Sequence, residues 1–199
     1  MMTVLIIAVA AQWGLLVLLA LLNVALFRQV GLLHMRISPV GALTLPGGVA
    51  VGAAAPEMSL ASLTGVVVQV GGRSDGRSQL IFFVSPTCPI CKSLLPAIRA
   101  IQKSEGNRLQ VVLASDGDEA LQEKMIKMER LEAFPFVLSA TLGQTLGVSK
   151  LPYAVLVGGD GKIAAKGLVN SREHLESLLE AERRGVASIQ DFLVKRAAR

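Results

Sequence analysis

Residues 3–27 contain no charged side chain, and only Gln12 and Asn23 are strongly polar in that run. As a helix such a run reaches about 37 Å at ~1.5 Å per residue. A bilayer core requires about 20 apolar residues, so the pattern predicts one transmembrane helix. Trp13 falls mid-span, where a ring packs against neighbours rather than anchoring at an interface. A cleaved signal peptide is the rival reading, with a basic start and an apolar stretch of about 7–15 residues. Here no Lys or Arg precedes the apolar run, and the run is longer. Ala53-Ala54-Ala55 resembles a cleavage site but lies far past Phe27.

The pattern then changes. Residues 38–56 are rich in Gly, Ala and Pro and carry no charge, which reads as a linker. Beyond it, strand and helix signals alternate. Strands are predicted at 66–70, 79–85, 109–114, 136–139, 153–157 and 163–168, from β-branched or continuous apolar runs. Gly158-Gly159-Asp160-Gly161 makes the last two a hairpin. Helices are predicted over 87–105, with Leu94, Leu95, Ile98 and Ile101 on one face; over 118–133, with Leu121, Met125, Met128 and Leu131 as its stripe; and briefly over 141–146. A last helix opens at Asn170-Ser171-Arg172-Glu173, which looks like a capping box. Strand–helix–strand units followed by a hairpin and a helix predict an α/β fold with a mixed sheet and flanking helices. The expected divisions are an anchor at 1–28, a juxtamembrane segment and linker at 29–51, a folded domain at 52–183 and a basic tail at 184–199.

Composition adds less. The net charge is +5 and the hydrophobic fraction 52%, with a pI near 9.6 and a mean hydropathy of +0.54. This excludes a disordered chain, and the high hydropathy follows from the N-terminal run. The basic residues are not clustered with aromatics, so no nucleic-acid role is expected. In the tail, Ile189, Phe192 and Leu193 form a short apolar face among Arg and Lys, read as a solvated helix rather than a lipid contact. His34 is read as interfacial and His174 as a surface residue. Met125 and Met128 are read as core filling, since a copper site adds Cys or His. Arg28 and Arg36 follow the anchor and none precedes it, which by the positive-inside rule turns the domain to the cytoplasm.

Chemistry concentrates at Cys88-Pro89-Ile90-Cys91, the chain's only two cysteines. The motif follows a predicted buried strand and opens a helix. A helix N-terminus presents unpaired N–H groups and partial positive charge. Both favour a thiolate, whose pKa can fall from about 8.5 to roughly 3.5–7.5 there. Cys88 is then the exposed attacking sulfur and Cys91, deeper in, the resolving one. Pro89 suits a first helical turn, and Lys92 adds positive charge. A structural disulfide over so short a loop would constrain little chain. A zinc site would need two placed histidines, and only His34 and His174 exist. Sixty residues on, Pro152 stands just before a predicted strand, where it shapes a groove edge and leaves the Leu151 backbone open to an extended partner. From sequence alone a trans proline is the default.

Cys88-Pro89-Ile90-Cys91-Lys92, with Pro96 four residues further and Pro152 before a later strand, resembles the thioredoxin superfamily. Val51-Gly52 with Ala55-Pro56, and an added N-terminal hairpin, resemble its membrane-tethered extracytoplasmic branch. Within it, the stretches FFVSPTCPICK, ASDG, SKLPYAVL and GLVNSREHLESL resemble the MauD family of methylamine utilisation proteins. That resemblance implies a thioredoxin-like fold with an N-terminal β extension behind a single transmembrane helix, and a cis Pro152 facing the disulfide. It implies a thiol–disulfide oxidoreductase with Cys88 and Cys91 catalytic and Pro89, Ile90, Lys92, Leu151 and Pro152 supporting them, and no cofactor beyond the Cys88–Cys91 pair. It further implies the methylamine dehydrogenase small subunit as client, a membrane thiol–disulfide carrier for recycling, and a single pass through the inner membrane with the domain in the periplasm. Because client disulfides persist outside the cytoplasm, this placement outweighs the two arginines. Thr87 departs from the tryptophan that thioredoxins carry before the first cysteine, and residues 79–85 lack their buried acid. Two other readings stay open: a non-catalytic chaperone for the same client, and a peroxiredoxin-like peroxidase, for which Ile81 stands where a proline belongs.

Overall fold

The structure, a computed structural model, describes residues 1–36, 48–72 and 76–185, with side chains of the first helix described at 1–3, 6, 7 and 10–24. The chain divides into two units, Met1–Pro39 and Val40–Arg199. The first holds one helix, α1 (Met2–Arg36). Its described Leu, Ile, Val and Trp13 side chains are all exposed, from 49% at Leu19 to 68% at Ile7. Asn23 donates from Nδ2 to the Leu19 carbonyl one turn back, at 3.4 Å. Among the described residues no helix is long and apolar enough to cross a membrane. The His34 side chain, most of the linker, residues 73–75 and the tail beyond Gly185 lie outside what is described.

The second unit begins with an antiparallel hairpin, β1 (Met58–Ala61) and β2 (Val67–Val70). Then come β3 (Ser78–Phe83), α2 (Pro89–Glu105), β4 (Leu109–Ser115), α3 (Glu119–Glu129), β5 (Phe136–Leu138), α4 (Ala140–Leu146), β6 (Tyr153–Val157), β7 (Ile163–Leu168) and α5 (Arg172–Arg184). Five strands form one sheet in the order β5-β4-β3-β6-β7. β3, β4 and β5 run parallel, and β6 and β7 antiparallel to their neighbours. This is the expected mixed sheet.

The continuous apolar runs are explained by layers on both faces. Side chains alternate along a strand, so Leu80, Phe82 and Val84 join the core under α2, α3 and α5. Ile81 and Phe83 join the opposite core, under α4 and the hairpin. α2 buries Cys91, Leu94, Leu95, Ile98 and Ile101, one face at helical spacing.

Two polar side chains fasten the hairpin. Gln79 is buried and makes three bonds: Oε1 accepts from Gly71 N–H at 3.0 Å, and Nε2 donates to the Gln69 carbonyl at 2.8 Å and to Gln110 Oε1 at 3.0 Å. Ser62 Oγ accepts from Phe136 N–H at 2.8 Å, tying the hairpin to the edge strand β5. Gly71 has φ +73°, and a Cβ there would sit 2.1 Å from the Pro56 carbonyl oxygen.

Four expectations are corrected: the extent of α3, its apolar stripe, the capping box and the placement of His174. The helix predicted over 118–133 stops at Glu129, where Arg130 takes φ 53°. Its buried residues are Gln122, Met125 and Ile126, while Leu121 and Met128 are exposed at 54% and 67%. Leu131 is buried, but past the helix end. The contact face is turned by about one residue, and the buried Gln122 is satisfied there by donating from Nε2 to the Asp116 carbonyl at 2.9 Å. The last helix is capped at Ser171 without a side-chain cap bond, and the reach-back is made not by Glu173 but by His174. His174 is therefore not a surface residue: it is buried, 5% exposed, and its Nδ1 accepts from Asn170 N–H at 3.2 Å. The Ser171 hydroxyl and Glu173's own backbone N–H hold the Glu173 carboxyl below the usual carboxylate range.

Candidate active site

β3 delivers the chain to the site. Its exit is fixed by Val84 N–H, which donates to the Ala114 carbonyl at 2.9 Å. The next turn closes through Cys88 N–H to the Ser85 carbonyl at 3.1 Å. The Ser85 and Thr87 hydroxyls are bonded to each other at 3.0 Å. Cys88 then caps α2, with extended backbone and its Sγ accepting from Cys91 N–H at 3.1 Å. A sulfur here replaces the usual Ser, Thr or Asp oxygen cap. The N–H it accepts is one of the orphan donors of the first turn.

Cys88 and Cys91 are joined in a disulfide with Cα atoms 5.3 Å apart. The two sulfurs differ in access: Cys88 is half-buried and Cys91 is fully buried. Pro89 occupies the first helical turn, where its missing N–H costs no bond. Ile90 is 46% exposed beside the pair. Lys92 is half-buried, and its backbone N–H donates to the Cys88 carbonyl at 3.3 Å. Among the described residues no Asp or Glu is buried.

The second half of the site arrives through strand register. β6 runs antiparallel to β3 with Tyr153 opposite Phe83. The exit of β3, leading to Cys88, and the entry of β6, preceded by Leu151-Pro152, therefore lie at one end of the sheet. Val84 and Leu151 line the same cavity of about 230 Å³, with Ser115, Ser139 and Gln144. The Leu151–Pro152 peptide is cis. Pro152 is buried, and its carbonyl accepts from Val169 N–H at 3.0 Å. Leu151 remains 37% exposed. Tyr153 is fully buried, its hydroxyl has no partner among the described residues, and burial pushes its phenol up.

The predicted residues thus fall into two groups at one sheet end: Cys88, Pro89, Ile90, Cys91 and Lys92 on α2, and Leu151 with Pro152 before β6. Sequence reading missed the segment after β7, where Val169 holds the Pro152 carbonyl and His174 holds Asn170. A polar residue among Arg172, Glu173 and Glu176 gives no sign of burial. The only signal was that His174 stands beside Leu175 in a family-like stretch.

Comparison with known proteins agrees with this geometry. The Redoxin family model matches residues 50–182. A methylamine utilization protein MauD of Paracoccus versutus is 46% identical over 171 residues, covering 86% of this chain and 85% of its own. One of Methylorubrum extorquens is 44% identical over 185 residues, covering 92% and 89%. Among solved structures, a thiol-disulfide oxidoreductase of Bacteroides fragilis aligns with TM-score 0.53 at 21% identity, covering 64% of this chain and 98% of its own. The lipoprotein thioredoxin Etrx1 of Streptococcus pneumoniae aligns with TM-score 0.56 at 20% identity, covering 63% and 99%. These two share the thioredoxin-like fold. A cysteine pair capping a helix within a redoxin frame makes the chain a thiol–disulfide oxidoreductase, and at this identity, over most of both chains, it belongs to the MauD family of methylamine utilization proteins.

Proposed function

We propose that the chain is a membrane-anchored thiol–disulfide oxidoreductase whose domain lies in the periplasm and acts on disulfides of the methylamine dehydrogenase small subunit during its maturation. The observation that carries this reading is the asymmetry of the cysteine pair, a half-exposed Cys88 at the helix cap and a fully buried Cys91. The name of its relatives supports the client class. The uncharged run at 3–27 and the exposed apolar side chains of α1 support the anchor.

The chemistry balances in either direction. In the disulfide form, a client thiolate attacks Cys88 Sγ and the Cys91 thiolate leaves. A second client thiolate then attacks the client sulfur of the mixed disulfide. The client gains a disulfide, and two electrons reside on reduced Cys88 and Cys91. In the reduced form, the Cys88 thiolate attacks a client disulfide, and Cys91 resolves the mixed disulfide with release of a client dithiol. Shuffling needs only that a third client thiol resolve the mixed species before Cys91 does. In the reduced form Cys91 N–H and the α2 N-terminus face the Cys88 thiolate, and in the oxidising direction they face Cys88 as it leaves the mixed disulfide. A membrane thiol–disulfide carrier restores the starting state.

Trapping tests the reading. Cys91→Ser leaves Cys88 unable to resolve its mixed disulfide in cells growing on methylamine. Recovery of the small subunit bound through Cys88 is the expected result. Recovery of a membrane thiol carrier alone would make the protein a relay. If the Cys88→Ser/Cys91→Ser double variant still matures the dehydrogenase, the redox reading fails and a chaperone takes its place. An alkaline phosphatase fused after Arg199 is expected to be active, and inactivity would overturn the periplasmic placement.

A further inference from the structure

A buried polar residue after β7 takes no part in the sulfur chemistry. His174 is buried, yet an imidazole is rarely placed inside for its apolar area alone. Its Nδ1 accepts the Asn170 N–H at 3.2 Å, which places the ring proton on Nε2. Asn170 itself is exposed, and the bond ties its backbone to the buried ring four residues on. What the bond does is fix a turn. Residue 169, next to Asn170, is fully buried and donates its own N–H to the Pro152 carbonyl at 3.0 Å. Further back, Leu168 is the β7 partner of Tyr153. Contacts thus run from His174 to Asn170, through Val169 to Pro152, and so to Leu151, whose side chain remains 37% exposed beside the cysteine loop. At the helix end of the chain, the His174 carbonyl accepts from the Ser177 hydroxyl at 2.8 Å, and Leu175 is locked in the core.

We infer that His174 is a positioning residue for client binding: by holding the Asn170 amide it fixes the turn after β7, and through Val169 it sets the Leu151-Pro152 backbone against which an extended client strand pairs. This rests on the oxidoreductase reading proposed above and adds a determinant of client affinity that does not touch sulfur. Fixing the turn beforehand lowers the ordering cost of binding. It leaves the Cys88–Cys91 couple unchanged.

The test uses the full chain in detergent with two probes: dithiothreitol, whose oxidation by the Cys88–Cys91 disulfide needs only sulfur access, and a synthetic peptide with one disulfide flanked by five residues on each side, reduced by the Cys88–Cys91 dithiol with glutathione supplied to regenerate it. His174→Leu is expected to raise KM for the peptide roughly fivefold, the worth of one net hydrogen bond. It is expected to leave kcat, the dithiothreitol rate and the reduction potential unchanged. His174→Asn, whose Oδ1 can replace the Nδ1 acceptor, is expected to restore KM. Amide exchange at Asn170 is expected to quicken in the Leu variant and return in the Asn variant. If the Leu variant does not fold, His174→Gln, with its acceptor displaced by one methylene, replaces it. Equal KM in all variants would overturn the inference. So would a parallel loss with both probes, which marks a general effect on fold or sulfur, or an Asn variant as weak as the Leu one. Separately, a wild-type protein that reacts with dithiothreitol but never with the peptide would overturn the oxidoreductase reading on protein clients, and the inference with it.

Discussion

Replacing Gln79 with leucine removes a buried polar side chain that joins three segments of the chain. Gln79 is buried at the start of β3 and joins β2, the turn after it and β4 through three bonds. Leucine matches its length and cannot make any of them. The Gly71 N–H and the Gln69 carbonyl lose a partner, each at about 1–3 kcal/mol. Gln110 is half-buried and turns to water. The added apolar burial returns about 1–2 kcal/mol. At the middle of these ranges the balance is a loss of about 2–3 kcal/mol, or roughly 8–12 °C in Tm for a domain of this size. Gln79→Glu sharpens the argument. A carboxylate still accepts from Gly71, but its other oxygen faces two acceptors, so at neutral pH it should cost at least as much as leucine. Protonation restores one donor, so the glutamate variant should recover part of the loss near pH 4. The assay is urea unfolding of a fragment from residue 48 onward, followed by far-ultraviolet circular dichroism. The single tryptophan is Trp13, so the fragment offers no indole signal. Amide exchange at Gly71 should rise in both variants. A leucine variant within about 0.5 kcal/mol of wild type, the scatter of neutral surface changes, would refute the reasoning. A glutamate variant as stable as wild type at pH 7 would refute it equally.

Three further outcomes are expected. Tyr153→Phe removes a buried hydroxyl without a partner among the described residues and should stabilise by about 1 kcal/mol. Because burial raises the phenol above its ordinary value, its contribution is full below about pH 10 and is lost above it. An unfolding series across pH 9–11 should show wild type weakening where the Phe variant does not. Met125→Ala should cost about 2–4 kcal/mol and Met128→Ala under about 0.5 kcal/mol, compared by urea midpoints; equal costs would contradict the observed face of α3. Gly71→Ala meets the Pro56 carbonyl and a positive φ, so it should cost more than about 2 kcal/mol and open the hairpin to limited proteolysis.

Much of the fold was readable because its central strands are buried on both faces. Runs such as Leu80-Ile81-Phe82-Phe83 and Tyr153-Ala154-Val155-Leu156-Val157 carry that fact in composition alone. The cysteine loop was readable because a CxxC motif after such a run has few other uses. β1 was not located, since Met58–Ala61 alternates only between half-buried and exposed. It is held by pairing with β2 and by Ser62 reaching residue 136, a contact 74 residues away. The face of α3 was misread because Leu121 and Met128 obey helical spacing, while burial follows the side that meets the sheet. His174 was misread because a ring nitrogen bonding a backbone amide leaves no periodic trace. For β1 and α3 the deciding partner lies off the local segment, where pattern cannot reach; for His174 it lies one turn back, but in the backbone, which the sequence does not display.

The pairing of Phe83 with Tyr153 carries a consequence for how this domain can vary. Residues 92–151, all the chain between Cys91 and Pro152, form an excursion that leaves the sheet end and returns to it. Its length does not enter the geometry of the two halves, because backbone bonds between β3 and β6 fix their approach. Helices and loops within the excursion are therefore free to lengthen, shorten or exchange, provided β4 still pairs with β3. A shift of β3 against β6 by a single position has the opposite character. It would carry Pro152 about 3.4 Å along the strand and reverse which face every β6 side chain meets. Lineages of this domain should thus tolerate insertions of many residues at the tips of the excursion, and almost none between Phe83 and Cys88 or between Pro152 and Tyr153.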